Sequence, residues 1–393
     1  MRPNSKSTAP ESGQRLDLTA CIRWRTTDAR FCDTRIIRGF DPVRDAAPGG
    51  IAEALSDASA GTRLRYSFAA GSLIAERDDR CCLWLPRSHF RPPPDTPQPQ
   101  PVVGRYYPTR YLVEMDSPCR AEHLRIRDMD AHRLFIDFNH PLAGQHLELR
   151  LEVDAVRNGT EVPAGSPRDL THELCDGGPG MQAHEPAFDP ATAFARLDED
   201  PDADFFSRPS LSPYWETPAL HRVSRAYRRL IPPASQVLDL MAGVHSPLQE
   251  ADIDGLSVHC AGLNRIELEH NPLCDERRAL DVNVAAPLPW PDGHFDAVLI
   301  HAAIEYVIRP CELFDEVHRI LRPGGRFIIS FGNRWVDGKV IRIWTELQEF
   351  ERPALLLSWL RRQGGFAHFE TRSLRGLPGR PDRLQVLSAD KAF

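Results

Sequence analysis

The segment 146–157 alternates between apolar and charged positions. Apolar side chains at the odd positions from Leu147 to Ala155 are separated by charged ones at the even positions. This period of two predicts a half-buried antiparallel strand. A short helix is predicted over 50–59 and a strand over 62–69, so the chain up to about residue 157 is expected to be rich in β-structure.

The pattern changes in the C-terminal half, where apolar runs alternate with helical periodicity. The runs that predict strands lie at 236–241, 256–263, 295–301 and 326–331. The stretches that predict helices lie at 220–231, 311–321 and 339–349. Continuous apolar strands separated by amphipathic helices predict an α/β fold with a parallel sheet covered on both faces.

The stretch between the two halves is rich in glycine, proline and acidic residues. We predict an interdomain linker over 158–212, with a short helix at 191–197. Its length allows the two domains either to touch or to move independently, and its acidic composition favours independent motion. A chain of 393 residues favours two domains, here 1–157 and 213–393.

Charge and cysteine usage narrow the class of protein. The net charge of −7 argues against broad binding to nucleic acid. No run reaches the roughly 18 apolar residues of a membrane span. The nine cysteines include no C-x-x-C pair, which predicts free thiols in a reducing, cytoplasmic setting. Cys81 and Cys82 are adjacent and would point to opposite faces of a strand, so no metal site is predicted.

Four motifs occur in order in the C-terminal half. They are VLDLMAG at 237–243, GLN at 262–264, DVN followed by PLPWPDGHFD within 281–296, and LRPGGRF at 321–327. In this order, over roughly 90 residues, they resemble the motifs of class I methyltransferases of the type 11 group. The resemblance implies a Rossmann-like domain that binds S-adenosylmethionine beyond the carboxyl ends of its strands.

The same resemblance implies which residues bind the cofactor. By position they are Asp239, Met241, Gly243, Asn264, Asp281 and Val282. The chain departs from the family at two of these positions. The glycine-rich first motif is reduced to Gly243, and the acid that binds the ribose is replaced by Asn264, which carries no charge.

Candidate catalytic residues follow the strand predicted at 295–301. Methyl transfer from a sulfonium requires positioning, and it requires a base only when the acceptor loses a proton. The candidates are His301, Glu305 and Tyr306. We expect His301 to be the first choice, because neutral imidazole is the natural proton acceptor near pH 7.

A second resemblance lies in the N-terminal half. DFNHPLAG at 137–144, PGGIAEAL at 48–55 and LWLPRSHF at 83–90 resemble the FKBP-type peptidyl-prolyl isomerases of the SlyD-like group. The resemblance implies a β-rich half-barrel wrapped on a helix, with a flap domain inserted at about 72–144. It also implies a prolyl-peptide pocket, whose residues would be Phe31, Asp33, Ile51 and Leu149. Ala70 stands where the family has tyrosine, which puts the isomerase activity in question.

Together these features predict a multidomain protein in which the N-terminal domain binds a polypeptide and the C-terminal domain methylates a protein or peptide. One alternative is a binding or chaperone scaffold in which one or both active sites are degenerate. Another is a working isomerase or chaperone domain with the methyltransferase fold as a sensor of S-adenosylmethionine. The identity of the acceptor, the atom that is methylated and the oligomeric state are not predicted.

Overall fold

A single sheet runs through both halves of the chain. The computed structural model describes residues 14–93, 100–115, 119, 121–157, 166–176, 178–284, 287–376 and 383–393. The strands are β1 (Arg15–Arg25), β2 (Ala29–Phe40), β3 (Arg63–Phe68), β4 (Cys82–Pro86), β5 (Tyr106–Pro108), β6 (His123–Met129), β7 (Arg133–Asp137), β8 (Leu147–Arg157), β9 (Gln236–Leu240), β10 (Ser257–Gly262), β11 (Glu276–Ala279), β12 (Phe295–His301), β13 (Leu321–Phe331), β14 (Phe366–Arg375) and β15 (Arg383–Lys391). The helices are α1 (Ile51–Ser56), α2 (Leu170–Cys175), α3 (Asp202–Phe205), α4 (Thr217–Leu230), α5 (Arg265–His270), α6 (Pro310–Ile320), α7 (Arg342–Glu346) and α8 (Glu351–Gln363).

The C-terminal half contains the predicted parallel sheet. Its order is β11-β10-β9-β12-β13-β15-β14, and within it only β15 runs antiparallel to its neighbours. Helix α4 covers one face with apolar residues such as Val223, and α6 and α8 cover the other with Phe314 and Trp359. The apolar runs that predicted buried strands therefore lie between two layers of helices, as a doubly wound sheet requires.

The N-terminal half is rich in β-structure, as predicted. Strands β2, β1, β8 and β3 are antiparallel neighbours, and Ile51 and Leu55 of α1 are buried with the apolar face of this sheet. A second sheet, in the order β4-β7-β6-β5, lies within the segment predicted as an inserted flap. The FKBP-type half-barrel itself stays a prediction.

The two halves are joined edge to edge, which the sequence did not predict. Strand β14 pairs in parallel with β2, with Thr371 opposite Phe31. The inserted sheet is also fixed to the C-terminal half, because Arg105 before β5 forms a buried ion pair of 3.3 Å with Glu351 of α8. The linker's length left contact between the domains open, and in this structure the two halves are in contact.

The predicted linker also differs from expectation in its described part, which excludes 158–165 and Gly177. It contains α2 and α3, and it buries Leu170, Leu174 and Met181. These apolar residues are spaced too widely to give a recognisable period, and for this reason the composition suggested a mobile connection. Among the described residues, no helix is long and apolar enough to cross a membrane.

Three cysteine pairs are disulfide-bonded, contrary to the expectation of free thiols. They are Cys21–Cys32 between β1 and β2, Cys81–Cys119 at the inserted sheet, and Cys260–Cys274 beside β10. Each pair joins residues that are brought together by strand pairing or by loop return. Such proximity cannot be deduced from spacing along the chain.

Candidate functional site

The strand order reverses between β9 and β12. The chain leaves β9 toward β10 on one side and leaves β12 toward β13 on the other. The residue after β9, Met241, has φ 62°, and Ala302, which follows β12, has φ 49°. Two non-glycine residues therefore adopt the left-handed conformation side by side at the carboxyl edge of the sheet. Strained turns of this kind cluster at ligand sites, and ligands of doubly wound folds bind at this point.

The turn after β9 is held by buried polar groups. Asp239 is buried and bonded to Ser246, and burial raises the pKa of Asp239 to about 6. Asn271 is fully buried and donates its Nδ2–H to the carbonyl oxygen of Gly243 at 2.9 Å. These contacts fix the path of the loop after β9, and the binding of the cofactor by Asp239 stays a prediction.

Gly262 at the end of β10 allows this turn to approach the neighbouring strand. A Cβ at Gly262 would lie 2.0 Å from the carbonyl oxygen of Ala242. Only glycine fits such a backbone approach. This contact explains why the GLN motif begins with glycine, although the first motif has lost most of its own.

Asn264 uses all of its side-chain hydrogen-bonding capacity inside the protein. Its Oδ1 caps α5 by accepting from the backbone N–H groups of Ile266 at 3.0 Å and Glu267 at 3.3 Å. Its Nδ2 donates to the carbonyl oxygens of Phe206 at 3.1 Å and Ser207 at 3.0 Å. Asn264 therefore supports the site in this structure through the helix and the preceding segment.

A carboxylate that sequence reasoning missed lies close by. The Oε2 atom of Glu267 is 3.1 Å from the position that a Cβ at Gly243 would take. Its Oε1 accepts from the backbone N–H of Ser210 at 2.7 Å. The signal in the sequence was an acid in the first turn of the helix after β10, one turn beyond the position where the family carries its acid.

Residues 198–216, which we name the strap, lie across this edge of the sheet. Lys339 is fully buried and donates to Oδ1 of Asp198 at 2.8 Å. Asp202 accepts from Nδ2 of Asn283 at 2.8 Å. The ring of Trp215 meets that of His301 edge-on, with centroids 4.2 Å apart. Residues 198–212 of the strap belong to the predicted linker, and 213–216 belong to the predicted methyltransferase domain. The strap packs on Asn264, a predicted cofactor residue, and on His301, a predicted catalytic residue.

Asp281 and Val282 lie after β11, near the same edge. The Oδ1 atom of Asp281 accepts from the backbone N–H of Asn283 at 2.9 Å, and burial raises the pKa of Asp281 above its usual value. Val282 is partly buried and packs against the main core. Their predicted contacts with adenine stay a prediction.

Glu305 is the unusual group among the three predicted catalytic residues. It is fully buried, and neither carboxylate oxygen has a hydrogen-bond partner among the described residues. Burial raises the pKa of Glu305 to about 7. Its position is fixed through the backbone, because its carbonyl oxygen accepts from the N–H of Ile341 at 3.0 Å. A carboxyl group in this state can exchange a proton near neutral pH.

His301 and Tyr306 are already engaged. The Nδ1 atom of His301 is 2.9 Å from the hydroxyl of Ser330, and burial lowers the pKa of His301 to about 3. So weak a base is a poor proton acceptor at pH 7, and Glu305 replaces His301 as the first candidate. The hydroxyl oxygen of Tyr306 accepts from the N–H of Val336 at 2.8 Å, and burial raises the pKa of Tyr306.

The residues predicted for a prolyl pocket lie mostly inside the N-terminal core. Ile51 and Leu149 are fully buried, and Phe31 stacks on Trp24 with ring centroids 5.4 Å apart. Asp33 is fully buried, with its carboxylate 3.2 Å from Nε of Arg35. The site residues of the two halves are not brought together.

Comparison with known proteins bears on the C-terminal half. A family described as "Methyltransferase domain" matches residues 250–329. The demethylmenaquinone methyltransferase of Clavibacter sepedonicus is 33% identical over 106 residues, which cover 26% of this chain and 43% of that protein. The enzyme of the same name from Paenarthrobacter aurescens (strain TC1) is 25% identical over 175 residues, covering 42% of this chain and 67% of that protein. The chain spans about half the length of the first relatives that it matches.

A solved S-adenosylmethionine-dependent methyltransferase from Mesorhizobium loti is 18% identical and covers 44% of this chain and 100% of its own, with a TM-score of 0.32. The family match confirms the predicted methyltransferase domain, whose cofactor is S-adenosylmethionine. The carboxyl edge of the sheet fits S-adenosylmethionine in two respects. The turn after β9 lies directly against Gly262, and the carboxylate of Glu267 lies beside Gly243 with its Oε2 atom toward that turn.

Proposed function

We propose that the chain transfers a methyl group to an acceptor bound beside Glu305, and that Glu305 takes a proton from that acceptor. The observation that carries this proposal is the buried carboxyl group of Glu305, which has no hydrogen-bond partner among the described residues. Leaving a buried acid unpaired costs stability. Such a cost is typical of a group retained for chemistry rather than for folding.

Bound S-adenosylmethionine supplies an electrophilic methyl group, and the residues of the chain position the reactants. Asp239 and Asn271 keep the loop after β9 in place. Glu267, whose Oε1 accepts from the backbone N–H of Ser210, would hold the ribose hydroxyl groups of this cofactor. Trp215 of the strap packs on His301 and limits the access of water to this edge. Positioning of this kind is the main requirement of methyl transfer.

The acceptor that best suits these groups is a small hydroxylated aromatic ring. Tyr306 contacts the hydroxyl of Tyr214, and both phenols lie near the charge of Glu305. Aromatic walls and one buried base suit a ring whose hydroxyl loses a proton as the methyl group arrives. The relatives named above are demethylmenaquinone methyltransferases, whose name carries a quinone, and the reduced form of a quinone is a ring with two hydroxyl groups.

A test uses the full chain with radiolabelled S-adenosylmethionine and two acceptor pools, an organic extract of small molecules and a protein extract. We expect label in the small-molecule pool, and at least a hundredfold less label with Glu305→Gln. His301→Gln is the matched variant, and it should retain most of the activity. Equal labelling by Glu305→Gln and the unaltered chain would overturn the role of Glu305.

A polypeptide acceptor is the second candidate, and it rests on the N-terminal half. The motif at 137–144 lies where the inserted sheet rejoins the main sheet, and its residues are tied to neighbouring segments. Nε2 of His140 is 2.9 Å from the carbonyl oxygen of Cys175, and Arg77 pairs with Asp137 at 2.5 Å. An inserted domain held in this way could present a bound peptide. Label confined to the protein pool would favour this candidate.

Prolyl isomerisation by the N-terminal half remains a separate hypothesis. The burial of Ile51 and Leu149 weighs against a pocket made of the four residues that the resemblance implies. A refolding assay limited by proline isomerisation tests it directly. Acceleration by the full chain, lost on substitution of Phe31, would support the activity, and an unchanged refolding rate would refute it.

A further inference from the structure

A mixed cluster of ligand atoms lies between the inserted sheet and helix α2. It consists of Glu122, His172 and Asp176, each of which offers one ligand atom, and all these atoms lie within 4.8 Å of one another. Glu122 immediately precedes β6, whereas His172 and Asp176 are one helical turn apart at the end of α2. The cluster therefore joins two segments that are far apart in sequence.

The backbone positions of the three residues are fixed independently of one another. The carbonyl oxygen of Glu122 accepts from the backbone N–H of Thr109 at 2.8 Å. Helix α2 is capped by Asp169, whose Oδ1 accepts from the N–H of Thr171 at 2.8 Å. Arg35 donates to the carbonyl oxygen of Asp176. The fold therefore brings Glu122 to helix α2, whereas His172 and Asp176 also contact each other along that helix.

The cluster contains more negatively charged groups than its single imidazole can balance. Two carboxylates meet one imidazole, and His172 contacts the carboxylate of Asp176. In the described part of the chain, the carboxylate of Glu122 has no hydrogen bond or ion pair within 4 Å. Arg35 and Arg375 both approach Asp176 but donate to its main-chain carbonyl oxygen. The space between the carboxylates favours a cation that accepts oxygen and nitrogen ligands.

A small cavity beside the cluster has the size that a single ion or water needs. Its volume is about 20 Å³, and Glu122, His123, His140 and Asp176 are among its lining residues. A cavity needs roughly 10–15 Å³ on the same measure to hold one water. The room next to the two carboxylates is therefore sufficient for one ion or for one water of its coordination shell.

We propose that Glu122, His172 and Asp176 bind one divalent transition-metal cation, such as Zn²⁺, which fastens the inserted sheet to α2. One imidazole and two carboxylates form a ligand set that suits zinc and its first-row neighbours, with water completing the shell. The imidazole disfavours Mg²⁺, which prefers oxygen ligands and keeps most of its waters. The proposal is independent of the methyltransferase activity.

The test is titration of the full, untagged and chelator-stripped chain with ZnCl₂, followed by calorimetry and by the shift in melting temperature. We expect one site per chain, with binding at least tenfold weaker in Glu122→Gln and in Asp176→Asn. The melting temperature should rise with Zn²⁺ in the unaltered chain only, because a cation that binds the folded state stabilises it.

The matched control is His368→Gln. His368 pairs with Asp390 at 3.4 Å on the surface and belongs to no cluster of three ligands among the described residues. This variant should bind Zn²⁺ as the unaltered chain does. All four residues are at the surface or only partly buried, so the variants should fold, and circular dichroism checks this. Unchanged zinc binding in Glu122→Gln and Asp176→Asn, no binding by the unaltered chain, or equally tight binding of Mg²⁺ would each overturn the proposal.

Discussion

The carboxylate of Glu267 accepts a hydrogen bond of 2.7 Å from the backbone N–H of Ser210. Glu267 lies on α5, which follows β10, and Ser210 lies on the strap. The family acid at the end of that strand is Asn264 here, and its amide is already engaged with the strap and with α5. Asn264 carries no negative charge, and the carboxylate of Glu267, one helical turn later, supplies one nearby.

Substitution Glu267→Gln should weaken the binding of S-adenosylmethionine about tenfold, because hydrogen bonds to a carboxylate contribute about 1.4 kcal/mol more than those to the neutral amide oxygen of Gln. Titration calorimetry with the full chain measures this change. The matched control is Glu269→Gln on the same helix, since Glu269 has an exposed side chain that pairs only loosely with Arg265, at 3.8 Å. Equal affinity in the Glu267→Gln variant and the unaltered chain would remove Glu267 from the cofactor site.

Substitution Glu305→Gln should stabilise the folded chain at pH 8 and leave its stability unchanged at pH 4. The unfolded carboxyl loses its proton near its ordinary pKa of 4.5, whereas burial holds the folded group protonated until about pH 7. Stability of the unaltered chain therefore falls as pH rises through this window, by roughly 3 kcal/mol in total. Urea denaturation at several pH values measures the difference, with the exposed Glu312→Gln as control.

The same carboxyl predicts the pH dependence of methyl transfer. A base is active only when ionised, so the rate should rise with pH and level off above about pH 7, the pKa to which burial raises Glu305. A profile that instead rises near pH 3 would point to His301, whose pKa is lowered to about 3. Initial rates across this range distinguish the two residues.

Substitution Lys339→Met should release the strap. The buried ammonium group binds Oδ1 of Asp198 at 2.8 Å and the carbonyl oxygen of Asp200 at 2.5 Å, and these contacts hold the start of the strap. Loss of the buried ammonium group leaves the Asp198 carboxylate and the Asp200 carbonyl oxygen without this donor. Chymotrypsin should then cleave faster after Phe205 or Phe206, and mass spectrometry of the digest measures this rate. Lys391→Met, which removes a donor to Leu321 far from the strap, should leave the cleavage rate unchanged.

Removal of residues 1–157 should not yield a stable methyltransferase domain. Six residues of β14, from Phe369 to Leu374, would lose their partners in β2. An unpaired strand edge promotes association with other chains. The fragment 158–393 should therefore aggregate on size-exclusion chromatography. A monomeric fragment with the melting temperature of the full chain would contradict the continuity of the sheet.

Sequence reasoning succeeded where a side-chain period or an ordered motif reports the structure. The alternation over 146–157 gave β8, and the apolar runs gave β9, β10, β12 and most of β13. The order of the four motifs was enough to predict the methyltransferase domain, because each motif lies at a strand end where the fold requires a particular turn.

The rest failed for physical reasons that concern backbone and burial. The pairing of β14 with β2 is made by main-chain groups, which carry no sequence code. The strap is anchored by single residues such as Asp202 and Trp215, too far apart to form a pattern. The choice of Glu305 over His301 as the proposed base depends on burial, which lowers the pKa of His301 and raises the pKa of Glu305. Burial of an individual polar side chain cannot be deduced from its neighbours in the chain.

The central claim is that the carboxyl edge of β9, β10 and β12 binds S-adenosylmethionine, and calorimetric titration of the full chain with this compound tests it most directly. The account predicts one site per chain, saturable, and competed by S-adenosylhomocysteine. A chain that is folded by circular dichroism and binds neither compound would contradict it.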